Sequence, residues 1–304
     1  MKLKRSLMNA ALSIACLAAA AAAELDTAQI DKLTGLKGSM DKDESVYKVT
    51  FPRDDVKVTV AGWQMPPFMG LGTWAAFQGS NEKAMMMGDT VLFEDEVNSA
   101  MSAALDNGLS VTALHNHFFF DQPNVYFMHI GGEGNVEKLA GAAKKVYDAV
   151  KAVRGRSGKP AETFGQRELE KGNLPEKSSI TLAPLNEIFG MQGEAKDGMA
   201  KFIIGKKASM GGMEIGKAIG VNTWAAFAGS DDNAVVDGDF AMTEDELQPV
   251  LTALRRSGIN IVAIHNHMTH ETPRIMFLHY WGRGKATDLA EAVKAALGKT
   301  KHDQ

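Results

Sequence analysis

Cysteine is nearly absent: Cys16 stands alone among 304 residues, inside an N-terminal segment expected to be removed. The chain beyond it can build neither a disulfide framework nor a thiolate nucleophile. Aromatic residues are scarce at 7%, while methionine is common at 17. Basic charge is not in excess either. Lys and Arg total 33 against 37 Asp and Glu, a net charge of −4, whereas a nucleic-acid surface needs a basic footprint. Beyond the N-terminus no apolar run is long enough to span a bilayer. The chain also has no G-x-S-x-G elbow and no Gly-rich dinucleotide fingerprint.

The N-terminus has the composition of a targeting segment. Lys2, Lys4 and Arg5 precede a small-residue apolar stretch from Leu7 to Ala20, and Ala21-Ala22-Ala23 precedes Glu24. This order predicts a secretory signal peptide over residues 1–23 and export to the periplasm or the medium. Lipidation at Cys16 is the weaker expectation, because Ser13 stands where a large aliphatic residue is usual. The remaining chain of about 280 residues is more acidic still and large enough to bury a core without staples.

What the sequence has in abundance is internal similarity. Gly70–Ser80, GLGTWAAFQGS, returns as Gly220–Ser230, GVNTWAAFAGS, with eight of eleven residues identical. Gly88-Asp89 returns as Gly238-Asp239, Glu94-Asp95-Glu96 as Glu244-Asp245-Glu246, and Pro123 as Pro273. A unit of this size exceeds solenoid repeats and can form a domain by itself. The expected organisation is therefore a first repeat over 24–153, a polar linker over 154–179 and a second repeat over 180–304. Each repeat reads as strands, a helix, a strand hairpin and a closing alanine-rich helix. That order predicts an α+β fold of two homologous domains, each an antiparallel sheet with flanking helices. Thr243, three residues before Glu246, has capping-box spacing for one helix start.

Six of the eight histidines fall in the duplicated hairpin. His115, His117 and His129 in VTALHNHFFFDQPNVYFMH match His265, His267 and His279 in IVAIHNHMTHETPRIMFLH. Alternate strand residues share a face, so His115 and His117 should point together, with Leu109, Val111 and Ala113 on that face, as Ile259, Ile261 and Ala263 should lie beside His265 and His267. A hairpin register pairing His265 with His279, and placing His267 opposite Phe277, brings three imidazoles together. Three neutral imidazoles suit a divalent transition metal, zinc or copper first. Asp121 and Glu271, four residues after the second histidine of each copy, are candidates for a further ligand or a general base. The competing readings are a buried hydrogen-bond network and a metal-free acid/base site. Met85-Met86-Met87 has soft donors for copper, but Val235-Val236-Asp237 replaces it in the second copy, so core filling is expected there. Trp74 and Trp224 are expected in the sheet core, with the lining of a pocket as the alternative.

The paired TWAAF and HNH blocks resemble the LppY/LpqO family of bacterial exported proteins, a domain of unknown function. The resemblance covers most of the chain and implies export, often with a lipid anchor, and no established activity. The function expected is an exported metal-binding protein with one three-histidine site per repeat. A metal-dependent hydrolase or oxygenase of the cell envelope is the first alternative, and a ligand-binding or envelope interaction protein the second. Its partners would be a metal ion or a small molecule.

Overall fold

The computed structural model describes residues 25–161 and 173–301. The expected signal peptide, with Cys16, lies outside the described residues, as do positions 162–172 of the expected linker. The first repeat runs α1 (Thr27–Thr34), β1 (Ser39–Asp41), β2 (Val46–Pro52), β3 (Gly72–Gly79), β4 (Ala84–Phe93), α2 (Glu94–Asp106), β5 (Ser110–His115), β6 (Val125–Gly134) and α3 (Val136–Arg156). The second repeats it with α4 (Leu182–Phe189), β7 (Glu194–Lys196), β8 (Met199–Gly205), β9 (Asn222–Ser230), β10 (Asn233–Thr243), α5 (Glu244–Arg256), β11 (Asn260–His265), β12 (Ile275–Gly284) and α6 (Ala286–Leu297). Helix α3 runs three residues into the stretch expected to be linker.

The repeats merge into one twelve-stranded sheet, ordered β1-β2-β3-β4-β6-β5-β11-β12-β10-β9-β8-β7 and antiparallel at every junction. The order is its own mirror image about β5 and β11, which meet with Leu114 opposite Ile264. The six α-helices of the described residues bury their apolar stripes against one face. Met128, Ile130, Leu278 and Tyr280 join that core from the sheet, and Met101, Val146, Leu251 and Val293 join it from the helices. Among the described residues no helix is long and apolar enough to cross a membrane.

The helix starts are held by a shared device. Phe93 N–H donates to Glu96 and Thr243 N–H donates to Glu246, the N3 carboxylates of α2 and α5. Each carboxylate is paired below the surface, Glu96 with Arg53 at 2.7 Å and Glu246 with Lys206 at 2.7 Å. The capping box expected at Thr243 and Glu246 forms, and Glu96 does the same from Phe93.

Among the described residues no α-helix packs on the other face of the sheet. Its ends near β5 and β11 are walled by small apolar clusters from neighbouring loops, Val58, Met65 and Leu71 against Phe127, and Ala208, Ile215 and Val221 against Phe277. On this face Met85 and Met87 are exposed, whereas Met86 points to the core. Trp74 and Trp224 also lie on it, half-buried. This corrects their expected place: Ala75 and Phe77, their neighbours in TWAAF, take the core side.

Candidate metal centre

A β-bulge sets the histidines. The ladders of β5 with β6 and of β11 with β12 each skip one residue, Thr112 and Val262. An extra residue inverts the alternation beyond it. Leu109, Val111 and Leu114 therefore all face the helices, while Ala113 and His115 face the open side, and Ile259, Ile261, Ile264, Ala263 and His265 repeat the arrangement. The expectation that Leu109, Val111, Ile259 and Ile261 share the histidine face is overturned by that bulge. The register also differs from the expected one. His279 stands opposite Ala263, and Phe277 opposite His265; His129 stands opposite Ala113, and Phe127 opposite His115. His117 and His267 lie just beyond the strand ends rather than on them.

The rings nevertheless meet. His117 stacks on Phe127 with centroids 3.4 Å apart, and His267 on Phe277 at 3.5 Å, which turns both rings back over the sheet. The Nε2 atoms of His115 and His117 are 3.2 Å apart, and those of His265 and His267 are 3.1 Å apart. His129 and His279 stack beside His115 and His265 at 5.0 and 4.7 Å.

An acid that spacing did not single out completes the second group, and its counterpart stands beside the first. Asp239 on β10 stands directly opposite His279, and Asp89 on β4 opposite His129. Asp239 Oδ2 is 3.4 Å from His267 Nε2, and the ligand atoms of Asp239, His265 and His267 all lie within 4.8 Å of one another. The recurrence of Gly88-Asp89 as Gly238-Asp239 was the available signal. The glycine is there because a Cβ at 238 would collide with the Tyr280 hydroxyl and the Trp224 carbonyl oxygen. Asp121 and Glu271 are buried, and their carboxylates accept the Val125 and Ile275 N–H groups, four residues on in the hairpin loop.

Two tests bear on a metal. Donors each about 2.1 Å from one ion, subtending about 90–110°, are roughly 3.0–3.4 Å apart. The 3.1, 3.2 and 3.4 Å separations fall in that interval. A plain hydrogen-bond network would satisfy its buried atoms. Here Asp89 Oδ1, Asp239 Oδ1, His115 Nδ1 and His265 Nδ1 are buried without a partner, the same atoms in both copies. Burial, with His279 and His267 beside it, pulls the His265 pKa down to about 4, and burial, with His129 and His117 beside it, lowers His115. Burial pushes Asp239 up to about 6 despite its histidine neighbour and raises Asp89 in the same direction. The imidazoles of His115 and His265 are thus neutral at neutral pH, the form that ligates. The two groups centre over β6 and β12, three strand spacings or roughly 14 Å apart, so each would hold its own ion.

The domain of unknown function DUF1259 matches the chain twice, over residues 28–149 and 183–299. No curated protein matches it. Among solved structures, the crystal structure of a trimeric bacterial microcompartment shell protein, PduB, aligns with 86% of this chain and 89% of its own at 11% identity, with a TM-score of 0.22.

Proposed function

The chain belongs to the DUF1259 family, present as two copies of a domain without assigned activity, and we propose from its site that each copy binds one divalent transition-metal ion. Asp239, His265 and His267 would be the donors in the second repeat, with His279 beside them. Asp89, His115, His117 and His129 take the same places in the first. The observation that carries this reading is the pair of imidazole Nε2 atoms held 3.1–3.2 Å apart beside a buried aspartate whose Oδ1 has no partner, in both repeats.

Two imidazoles and one carboxylate suit zinc or iron as well as copper. Copper loses the support of the methionine run, since Met86 is in the core and the exposed Met85 and Met87 are replaced by Val235 and Asp237 in the second repeat. The segment resembling a signal peptide, and the resemblance to the LppY/LpqO exported proteins, make the cell envelope or the medium the proposed location.

The set also favours a second reading, a metal-dependent hydrolase or oxygenase. Three protein donors leave a position free on a four- or six-coordinate ion, and His117 and His267 are exposed at the open face. An ion so held supplies Lewis acidity to whatever reaches that position.

Elemental analysis of the purified protein after incubation with zinc, copper or iron(II) tests the proposal. Two ions per chain are expected, falling to one in His265→Ala/His267→Ala and to one in His115→Ala/His117→Ala. Loading unchanged in both double variants would remove the site from consideration.

A further inference from the structure

A second feature recurs beside each metal group. The Lys48 ammonium sits 4.2 Å from the centroid of the Trp74 ring, and the Lys201 ammonium sits 4.5 Å from that of Trp224. Trp74 stands directly opposite Asp89 in the ladder, and Trp224 directly opposite Asp239. Lysine, tryptophan, aspartate and histidine therefore lie on four successive strands of the open face, once in each half of the sheet. Much of the rest of this face differs between the halves: Met87 is replaced by Asp237, Gly131 by Trp281 and Glu133 by Arg283. Lysine over tryptophan is one of the few features that both halves keep.

The charges explain what such a row can hold. One aspartate leaves a divalent ion with a net positive charge. Neither Lys48 nor Lys201 forms an ion pair among the described residues, and both are exposed on their aromatic plates. Each half of an otherwise acidic chain thus presents two positive centres on either side of a tryptophan. The ammonium reaches over the tryptophan on the neighbouring strand, two strand spacings from β6 or β12, which puts it on the order of 10 Å from the metal group. A cation over an indole face is held in place without losing its hydrogen-bond donors.

Resting on the metal reading above, we infer that each half binds a small dianion, one anionic group on the metal and the other on Lys48 or Lys201, with its middle lying across Trp74 or Trp224. Subtracting a metal–oxygen bond of about 2 Å and a hydrogen bond of about 2.8 Å leaves about 5 Å, which fits a dianion of about five carbons with both terminal carboxylate carbons counted. The class is a short aliphatic dicarboxylate or its phosphate-bearing equivalent. The indole would contact the aliphatic middle and report its arrival.

The test uses the full chain loaded with zinc, its metal content measured in every sample, and glutarate as the probe. Binding is followed by calorimetry and by tryptophan fluorescence. Glutarate is expected to bind at two sites, with butyrate binding at least tenfold more weakly. Lys48→Gln/Lys201→Gln should weaken glutarate at least tenfold while leaving two ions per chain and butyrate binding unchanged, and Lys48→Arg/Lys201→Arg should restore most of the loss. Inorganic phosphate and phosphonoacetate in the same assay decide between carboxylate and phosphate at the lysine end. Two ions per chain with glutarate binding that ignores the lysines overturns this inference and leaves the metal reading standing. Failure to retain any of zinc, copper or iron(II) overturns both.

Discussion

The side-chain amide of Gln248, on α5, grips the backbone of Val111 in the other repeat. Val111 N–H donates to its Oε1 at 2.9 Å, and its Nε2 donates to the Val111 carbonyl at 2.8 Å. Asn98, on α2, does the same for Ile261, at 2.8 and 3.5 Å. Val111 and Ile261 are the residues just before the bulges, where the ladder leaves backbone groups unpaired. Each repeat thus completes the strand that aims the other repeat's histidines.

Gln248→Ala leaves a backbone donor and acceptor at Val111 without partners. The expected cost is about 1–3 kcal/mol in chemical denaturation. Asn98→Ala is expected to cost less, because its second bond is longer. Metal content should fall first in the repeat whose bulge is released: the first for Gln248→Ala, the second for Asn98→Ala. A Gln248→Ala protein as stable as the parent would show that water satisfies the bulge.

Asp239→Asn separates a ligand from a structural acid. A buried carboxylate whose pKa is raised to about 6 by burial costs stability when ionised at pH 7–8. The neutral amide removes that cost, so the metal-free variant is expected to unfold at a temperature equal to or above that of the metal-free parent. Its metal content should fall from two ions to one. A variant both less stable without metal and fully loaded would contradict the assignment of Asp239 as a donor.

The pH dependence of the metal-free protein rests on two opposed shifts. His265 titrates near 4 when folded against 6.5 unfolded, so across that window the unfolded chain binds more protons and stability falls as pH is lowered. Asp239 titrates near 6 against 3.8, so over nearly the same window the folded chain binds more protons and stability falls as pH is raised. The two slopes partly cancel in the parent. Asp239→Asn removes one of them, so its stability should drop more steeply between pH 7 and 4, read as the denaturation midpoint at each pH. Loaded protein should keep its metal through pH 6.5 and release it toward pH 4, because depressed imidazole pKa values reduce proton competition.

Gly238→Ala tests how the aspartate is placed. Its Cβ would meet the Tyr280 hydroxyl and the Trp224 carbonyl, and the overpacking is expected to cost about 1–3 kcal/mol. Tyr280→Phe in the same chain should recover part of that loss by removing the hydroxyl. Gly88→Ala should be milder, since its nearest neighbour is a carbonyl at 2.7 Å. The metal of the second repeat, and not of the first, should be lost in Gly238→Ala.

The duplication, the α+β order of elements and the six-histidine pattern were legible in the chain itself, because a repeat at a constant offset of 150 positions and the alternation of apolar residues are local properties of the sequence. The capping residue Glu246 belongs to the same class. The hairpin register, the bulges at Thr112 and Val262 and the recruitment of Asp89 and Asp239 were decided only in three dimensions. One extra strand residue changes the face of everything after it, and the acids sit on strands that precede the histidines by 26 residues in each copy. The fusion of two repeats into one sheet was likewise a tertiary outcome: β5 and β11 each have one edge free within their own repeat, and each satisfies it on the other.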